Sequence, residues 1–420
     1  MLRDYQIEIS DKATILLREY GIAYLSMQVR TGKTLTALRV ADNYGASSVL
    51  FLTKKKAKQS IFDDYNKLHG WGFAPFHLDV QNYEQAHNLT PVYDLIILDE
   101  AHCLGQFPVP AKRIKEIKKL CHEKPTIYLS GTPTPESYSQ IFHQLFVSSY
   151  SPFSHPSFYK WANEYVIVKK KYYFNRAIND YSTAKKELIN EKIKHLFISY
   201  TQEEAGFEMP VNEHTLTVRM NDTTYNLANK LKKTRVYISA KGNEILADTE
   251  VKLMNKLHQI YSGSVLDEKG EYIAFDDSKA IFIKKHFEGK KIAIFYKYRG
   301  EAELIKKHFI ITTSPEDFNS SDNFTFISQV QSGREGINLS TADCLVMFNI
   351  DYSAVSYWQS RSRLQTKDRI KDADVYWIFS EGGIEGKIYA SVMNKKDYTL
   401  SHFKKDFNIK KVDNNLSTVE

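Results

Sequence analysis

The stretch AYLSMQVRTGKTLTALRVADNYG, residues 23–45, contains an apolar strand pattern, a glycine–lysine turn and a helix pattern that ends at Gly45. A glycine–lysine–threonine turn between a strand and a helix is the context of a phosphate-binding loop. Backbone N–H groups at the helix N-terminus would hold phosphate oxygens, Lys33 would reach the β- and γ-phosphates, and the Thr34 hydroxyl would bind Mg²⁺. The full pattern has a glycine where this chain has Met27, so a lysine in an ordinary glycine turn remains the alternative.

The sequence DEAH, Asp99 to His102, directly follows the apolar run YDLIIL. The ends of parallel strands are where α/β folds expose reactive groups. Asp99 is expected to hold Mg²⁺, and Glu100 to orient or deprotonate a water that attacks a γ-phosphoryl group. An isolated acidic pair often only solvates a loop, but the phosphate-binding loop upstream favours a catalytic pair.

Length and composition limit the class of protein. A chain of 420 residues predicts two or three domains, and its 42% hydrophobic and 25% charged residues exclude a disordered chain or a coiled coil. The net charge of +7 suits a polyanionic partner without requiring one. The three cysteines form no CxxC pair, and the amino terminus has no signal-peptide pattern. We therefore expect a cytoplasmic protein without a membrane segment, a disulfide framework or a local zinc site.

Strand patterns alternate with helix patterns at both ends of the chain, which predicts two α/β halves. We predict a first domain over residues 1–148, a middle segment over 149–277 with helices and a β-hairpin, and a second domain over 278–420. The hairpin, VIVKKKYYFNRAINDY at 166–181, is either an exposed element that stacks bases or a core hairpin that caps the first domain. The predicted strands are Ile22–Leu25, Val49–Thr53, Leu95–Leu98, Thr126–Leu129, Ile292–Tyr296, Phe324–Val330, Cys344–Ile350 and Val375–Phe379.

A third motif, SGTPTP at residues 130–135, follows the apolar run TIYL. In this order, RTGKT, DEAH and SGTP resemble the first motor domain of superfamily 2 helicases and translocases. LRDYQ at residues 2–6 is similar to the LRPYQ opening of the Snf-like group. In the second half, SGREGINLSTAD at 332–343 resembles the family's GGxGINL motif, and YSAVSYWQSRSR at 352–363 resembles its last, arginine-containing motif. The resemblance implies two RecA-like P-loop domains with parallel sheets in tandem, in a chain as compact as small phage replication helicases.

The resemblance also implies a role for particular residues in each motif. The implied catalytic residues are Lys33, Asp99, Glu100, Arg363 and Arg361, and the implied Mg²⁺ ligands are Thr34 and Asp99. The implied ATP contacts are Arg3, Gln6, Arg30, Thr31, Gly32, Lys33, Thr34 and Gln359. The implied nucleic-acid contacts are Thr53, Lys54, Lys55, Gly336 and Asn338, and the residues that couple ATP to nucleic acid are His102, Ser130 and Thr132.

Besides Met27, two further positions depart from the family pattern. Arg30 stands where most relatives carry glycine, so the backbone of the loop is expected to differ there. Thr366 stands where a second arginine normally follows Arg363. Arg361 and Arg369 therefore remain alternatives for the arginine that contacts the transferred phosphate.

The function that the resemblance implies is an ATP-dependent DNA helicase or translocase that uses ATP and Mg²⁺. Contacts to the γ-phosphate from both motor domains would close them, and hydrolysis would release them. The expected partner is single-stranded or branched DNA, held through its phosphates without sequence preference, and phage replication or recombination in a bacterial host is one setting. An RNA helicase and a non-motor ATPase switch remain alternatives, while GINL and LRDYQ favour the DNA-directed group. The sequence leaves the oligomeric state open, a monomer included.

Overall fold

The computed structural model describes residues 1–73, 76–173, 176–206, 211–239, 242–333, 339, 341–353, 356–357, 360, 364 and 372–394. The chain forms two compact units, and it passes from the first to the second between residues 206 and 211. Each unit contains a six-stranded sheet whose strands are all parallel. The predicted α/β class with two parallel sheets in tandem is confirmed.

The first unit is built on a sheet with the strand order β3-β2-β4-β5-β1-β8. These strands are β1 (Ile22–Met27), β2 (Ser48–Thr53), β3 (His77–Asn82), β4 (Leu95–Leu98), β5 (Thr126–Leu129) and β8 (Phe197–Tyr200), and an antiparallel hairpin adds β6 (Lys169–Tyr173) and β7 (Arg176–Asp180). The α-helices are α1 (Asp4–Tyr20), α2 (Lys33–Tyr44), α3 (Lys58–Gly70), α4 (Ile114–Leu120), α5 (Ile141–Phe146), α6 (Phe158–Tyr165) and α7 (Lys186–Ile193).

Both faces of the first sheet are buried, which explains why its strands are continuous apolar runs. Along β1, Ile22 and Tyr24 join one apolar cluster, whereas Ala23, Leu25 and Met27 join the other. Successive side chains of a strand point to opposite faces, so a sheet covered by helices on both sides needs apolar residues at every position. Helices on the two faces leave the carboxyl ends of the strands as the place for polar groups.

The second unit has the strand order β15-β16-β14-β17-β18-β9. Its strands are β9 (Val211–Val218), β10 (Val236–Ile238), β11 (Glu244–Leu246), β12 (Ser264–Leu266), β13 (Tyr272–Ala274), β14 (Ile292–Tyr296), β15 (Ile311–Thr312), β16 (Thr325–Gln329), β17 (Cys344–Met347) and β18 (Ala373–Ser380). Its α-helices are α8 (Asp222–Thr234), α9 (Glu250–Ile260), α10 (Ser278–His286), α11 (Arg299–Lys306), α12 (Pro315–Ser320), α13 (Val330–Gly333) and α14 (Glu385–Met393). The predicted strands of both halves are present with small differences at their ends.

The predicted middle segment, residues 149–277, is divided between the two units. Its strand β8 pairs in parallel with β1 at an edge of the first sheet, and β9 pairs in parallel with β18 at an edge of the second. Edge strands are less buried than central ones and carry polar residues, as FISY and VNEHTLTV do. Their weak apolar patterns explain why the sequence did not assign these strands to either sheet.

The hairpin β6–β7 stands apart from both large sheets. Its register pairs Tyr173 with Arg176, and residues 174–175 lie outside the described residues. Val168 and Ile178 are 40% and 52% exposed, and the side chains of Lys169 and Lys170 are exposed as well. The described side chains therefore favour the exposed hairpin over the core hairpin, whereas the ring positions 172–174 lie outside the described side chains.

No helix in the described part of the chain has the length and apolar character that a membrane crossing requires.

Candidate active site

The loop between β1 and α2 has two residues in the left-handed backbone region. Gly32 has a φ of 83°, and a Cβ atom there would lie 2.1 Å from Nε2 of Gln6. Glycine suits this position because it adopts a positive φ without strain, whereas a larger residue would also have to displace the end of the Gln6 side chain. The loop therefore lies close to the Gln6 side chain at the start of α1.

Arg30 has a φ of 64°, although it is not a glycine. The left-handed region costs a residue with a Cβ atom roughly 1–2 kcal/mol. The φ angle of Arg30 thus has the positive sign that glycine adopts easily. The change in the loop backbone that we expected from this substitution therefore does not include a change in the sign of φ. Strain of this kind is typical of ligand-binding loops.

Gln6, the predicted adenine contact, lies against this loop. Its Oε1 atom accepts a hydrogen bond from the Arg3 backbone N–H at 2.9 Å, and its Nε2 atom donates to the Gly32 carbonyl at 3.3 Å. Arg3, also a predicted ATP contact, donates from Nη1 to the Tyr5 hydroxyl at 3.0 Å. The structure brings the LRDYQ motif to the phosphate-binding loop, while the contact of Gln6 with adenine stays a prediction.

The acidic pair follows β4, which is separated from β1 only by β5 in the sheet. All three strands are parallel, so the loop after β1, the pair Asp99–Glu100 after β4 and Ser130 after β5 lie along one edge. Sequence motifs far apart in the chain thus come together at the carboxyl ends of three neighbouring strands, as the doubly wound arrangement requires.

Two side-chain hydroxyl groups hold Asp99. The Thr53 hydroxyl donates to its Oδ2 atom at 2.7 Å, and the Tyr83 hydroxyl donates to its carbonyl at 2.6 Å. Burial raises the pKa of the Asp99 carboxyl to about 6, and the Glu100 carboxylate beside it adds to the rise. The Lys33 ammonium acts on the pKa in the opposite direction, so the charge of the loop lysine reaches this carboxylate.

Thr53, a predicted nucleic-acid contact, ends β2 beside the acidic pair. Its side chain is fully buried and its hydroxyl donates to Asp99. The Thr53 side chain therefore contacts the acidic site, and its predicted contact with nucleic acid stays a prediction. Lys54 and Lys55 follow β2 directly, Lys55 with an exposed side chain, and their contact with nucleic acid stays a prediction.

A magnesium ion fits the surroundings of Asp99. Burial and the neighbouring Glu100 carboxylate raise the pKa of Asp99, so a cation beside it would stabilise the ionised form. Mg²⁺ binds carboxylate and hydroxyl oxygens, and Thr34 places such a hydroxyl in the first turn of α2. The donor set of Thr34 and Asp99 therefore suits this cation, which would lower the pKa of Asp99 on binding.

Glu100, His102 and Ser130 form a connected group. The Nδ1 atom of His102 lies 3.2 Å from Oε2 of Glu100 and 3.0 Å from Oγ of Ser130. The Ser130 hydroxyl oxygen also accepts a hydrogen bond from the Thr132 backbone N–H at 3.2 Å. Ser130 therefore joins the other two predicted coupling residues, His102 and Thr132, and His102 also contacts Glu100, whose φ is 49°.

Lys33 is the first residue of α2, and its Nζ atom donates to the Gln28 carbonyl at 3.3 Å. The predicted ATP contact Thr31 also bonds within the loop, since its hydroxyl donates to the same carbonyl at 2.8 Å.

Five predicted site residues lie outside the described residues. They are Gly336, Asn338, Gln359, Arg361 and Arg363, and their roles stay predictions. In the described part of the second unit, Lys297 follows β14 and Asp351 lies shortly after β17, where their side chains form an ion pair at 2.8 Å. This pair ties the carboxyl ends of two neighbouring strands together.

Sequence reasoning missed several side chains that hold the site. The sequence assigned no role to Tyr83 and predicted a nucleic-acid contact for Thr53, so neither contact with Asp99 was predicted. Gln28 and Gln202 gave no signal, because a glutamine in a loop has no pattern that reveals a distant partner. Their hydrogen bonds join residues 174 positions apart in the chain.

No protein-family model matches the chain. The chain is 22% identical over 263 residues to the Drosophila melanogaster homolog of the SWI/SNF-related matrix-associated actin-dependent regulator of chromatin, subfamily A containing DEAD/H box 1; this covers 54% of the chain and 30% of the relative. It is 20% identical over 353 residues to the CHD3-type chromatin-remodeling factor CHR7 of Arabidopsis thaliana, covering 77% of the chain and 28% of the relative. The chain thus spans less than a third of the length of these curated relatives.

A solved structure, the Sulfolobus solfataricus SWI2/SNF2 ATPase core in complex with dsDNA, is 18% identical. The likeness covers 97% of this chain and 93% of that one, with a TM-score of 0.43. A likeness with this TM-score supports no conclusion about function. The sequence relatives confirm the resemblance of this chain to the Snf-like group of superfamily 2.

Proposed function

We propose that the chain is an ATP-dependent DNA helicase or translocase of superfamily 2 that hydrolyses ATP to move along or remodel DNA. The observation that carries the proposal is the meeting of three motifs at one edge of the first sheet. The phosphate-binding loop, the pair Asp99–Glu100 and Ser130 follow three neighbouring parallel strands. This is the arrangement that in-line attack of water on a terminal phosphoryl group needs.

Each site residue of the first unit has a defined task in that reaction. Lys33 neutralises the β- and γ-phosphates, and the N-terminus of α2 offers N–H groups to their oxygens. Glu100 orients the attacking water and accepts its proton, and His102 at 3.2 Å keeps the carboxylate in place. Mg²⁺, held by Thr34 and Asp99, would neutralise charge that develops on the phosphate oxygens.

Three features support DNA as the partner. The net charge of +7 favours a polyanion, and GINL at residues 336–339 and LRDYQ at 2–6 resemble the DNA-directed group. The curated relatives are named as chromatin factors, and the nucleic acid of chromatin is DNA. We assign the DNA contacts to Thr53, Lys54, Lys55 and the stretch containing Gly336 and Asn338. A role in phage replication or recombination is the finer proposal and is based on the resemblance to phage replication helicases.

Hydrolysis in this family also uses an arginine, which stabilises the transferred phosphate. We assign this task to Arg363, with Arg361 and Arg369 as alternatives. Gln359 is the second contact to ATP that we assign to the same motif.

The ATPase rate in the presence of different nucleic acids tests the proposal. We expect single-stranded, forked or duplex DNA to raise the rate several-fold, and the effect to weaken with added salt because phosphate contacts release counterions. RNA at the same nucleotide concentration should stimulate much less. Equal or stronger stimulation by RNA would favour the RNA helicase, and a rate indifferent to all nucleic acids would favour the non-motor switch.

A further inference from the structure

Side chains from other parts of the first unit donate hydrogen bonds to the carbonyl groups of the phosphate-binding loop. The Gln202 side-chain Nε2 donates to the Val29 carbonyl at 3.1 Å, and the Tyr5 hydroxyl donates to the Thr31 carbonyl at 3.0 Å. Gln6 holds the Gly32 carbonyl in the same way. Carbonyl and N–H groups of one peptide unit point in opposite directions, because the unit is planar and trans. Each of these bonds therefore also sets the direction of the next N–H group in the loop.

Gln202 makes two contacts with the loop, which distinguishes it from an ordinary neighbour. Its backbone N–H donates to the Gln28 side-chain Oε1 at 2.9 Å, while its side chain holds the Val29 carbonyl. The Gln28 backbone N–H donates in turn to the Tyr200 carbonyl at 2.9 Å, which extends the pairing of β1 with β8. The edge strand β8 and the loop thus form one hydrogen-bonded unit.

The segment that carries Gln202 is itself fixed. Both the backbone N–H and the hydroxyl of Thr201 donate to Oε2 of Glu204, at 2.6 and 2.8 Å. The ring of Tyr200 stacks on Tyr5 with centroids 4.6 Å apart, and its hydroxyl donates to the Glu204 carbonyl at 2.9 Å. Gln202 is therefore presented to the loop from a rigid turn, so its amide does not have to be ordered again when a ligand binds.

We propose that Gln202 is a positioning residue for the phosphates of the bound nucleotide. It holds the peptide unit of Val29 and Arg30, which adopts a strained backbone, with the carbonyl turned toward Gln202 and the N–H turned away from it. A loop arranged before binding loses less entropy when it takes up phosphate. The inference rests on the nucleotide site of the proposed function, and it holds whether or not the protein moves on DNA.

The test is the affinity of the full chain for a fluorescent ADP analogue, measured without DNA. The Gln202→Glu variant keeps the shape of the side chain but faces the Val29 carbonyl with an acceptor and adds a negative charge. We expect its dissociation constant to rise roughly tenfold, and that of Gln202→Ala to rise less. The KM for ATP should rise with it, while kcat changes little and the thermal midpoint stays near that of the parent. The neighbouring exposed carboxylate gives the control Glu203→Gln, which should bind as the parent does.

Several outcomes would overturn the inference. A dissociation constant for Gln202→Glu within twofold of the parent would do so, as would a fall in kcat at unchanged KM. If Gln202→Glu does not fold, the same criterion applies to Gln202→Ala. If the parent chain binds the analogue but its ATPase rate is not raised by DNA, the proposed motor is contradicted. The comparison of nucleotide affinity between the parent and the Gln202 variants remains valid in that case. A parent chain that does not bind the analogue overturns both the proposed motor and this inference.

Discussion

Replacing Lys33 with alanine should reduce ATP hydrolysis to background while the protein remains folded. Lys33 begins α2 at the loop, and its charge already acts on Asp99 across the site. Loss of one preorganised cationic contact to the transferred group costs roughly a hundredfold or more in rate. The measurement is the steady-state ATPase rate with saturating DNA, together with a thermal melt of the variant.

The matched control is Lys12→Ala in α1. The Lys12 side chain is 61% exposed and pairs only locally, with Glu8 at 2.6 Å, so its loss should change neither rate nor stability appreciably. Normal hydrolysis by the folded Lys33→Ala variant would falsify the assignment of the phosphate-binding loop.

The Glu100→Gln variant should still bind ATP but hydrolyse it roughly 10²- to 10⁴-fold more slowly, which is the usual contribution of a general base. Glutamine keeps the size of the side chain and its place beside His102, but it cannot accept a proton from water. Because ATP is bound and not consumed, the variant should remain on DNA in the ATP-bound state. Single-turnover hydrolysis, nucleotide binding and retention on immobilised DNA measure the three parts of this expectation.

Glu123 offers a closely matched control for that experiment. It is the same residue type, it also has a left-handed backbone with a φ of 54°, and its side chain is 79% exposed. Glu123→Gln should leave hydrolysis unchanged. If turnover is also unchanged in Glu100→Gln, Glu100 is not the general base. Another group near Asp99 would then have to accept the proton.

The sequence predicted those parts of the fold whose signals are local. Strands β1, β4 and β5 are buried on both faces, so each is a continuous apolar run, and the motif after each run marks its carboxyl end. The edge strands β8 and β9 could not be assigned, because their half-exposed residues leave only a weak apolar pattern. The predicted middle segment was the consequence of that missing signal.

Within the site, residue types were predicted more successfully than contacts. The motif pattern placed the loop and the acidic pair, whereas the Thr53 hydroxyl on Asp99 and the Tyr83 hydroxyl on its carbonyl depend on strands that only the folded sheet brings together. The torsion of Arg30 is another example. An arginine at this position suggests an altered loop backbone, but Arg30 has a positive φ, in the left-handed backbone region that glycine favours. Hydrogen bonds around the loop hold the backbone there.

Movement along DNA is the central claim, and displacement of a third strand measures it most directly. A short oligonucleotide bound in the major groove of a duplex is released when a translocating protein passes, without any need for the duplex strands to separate. We predict release that requires ATP hydrolysis, with none from Lys33→Ala or Glu100→Gln and none when a non-hydrolysable analogue replaces ATP. DNA-stimulated hydrolysis without release of the third strand, on duplexes with either single-stranded or blunt ends, would contradict the account.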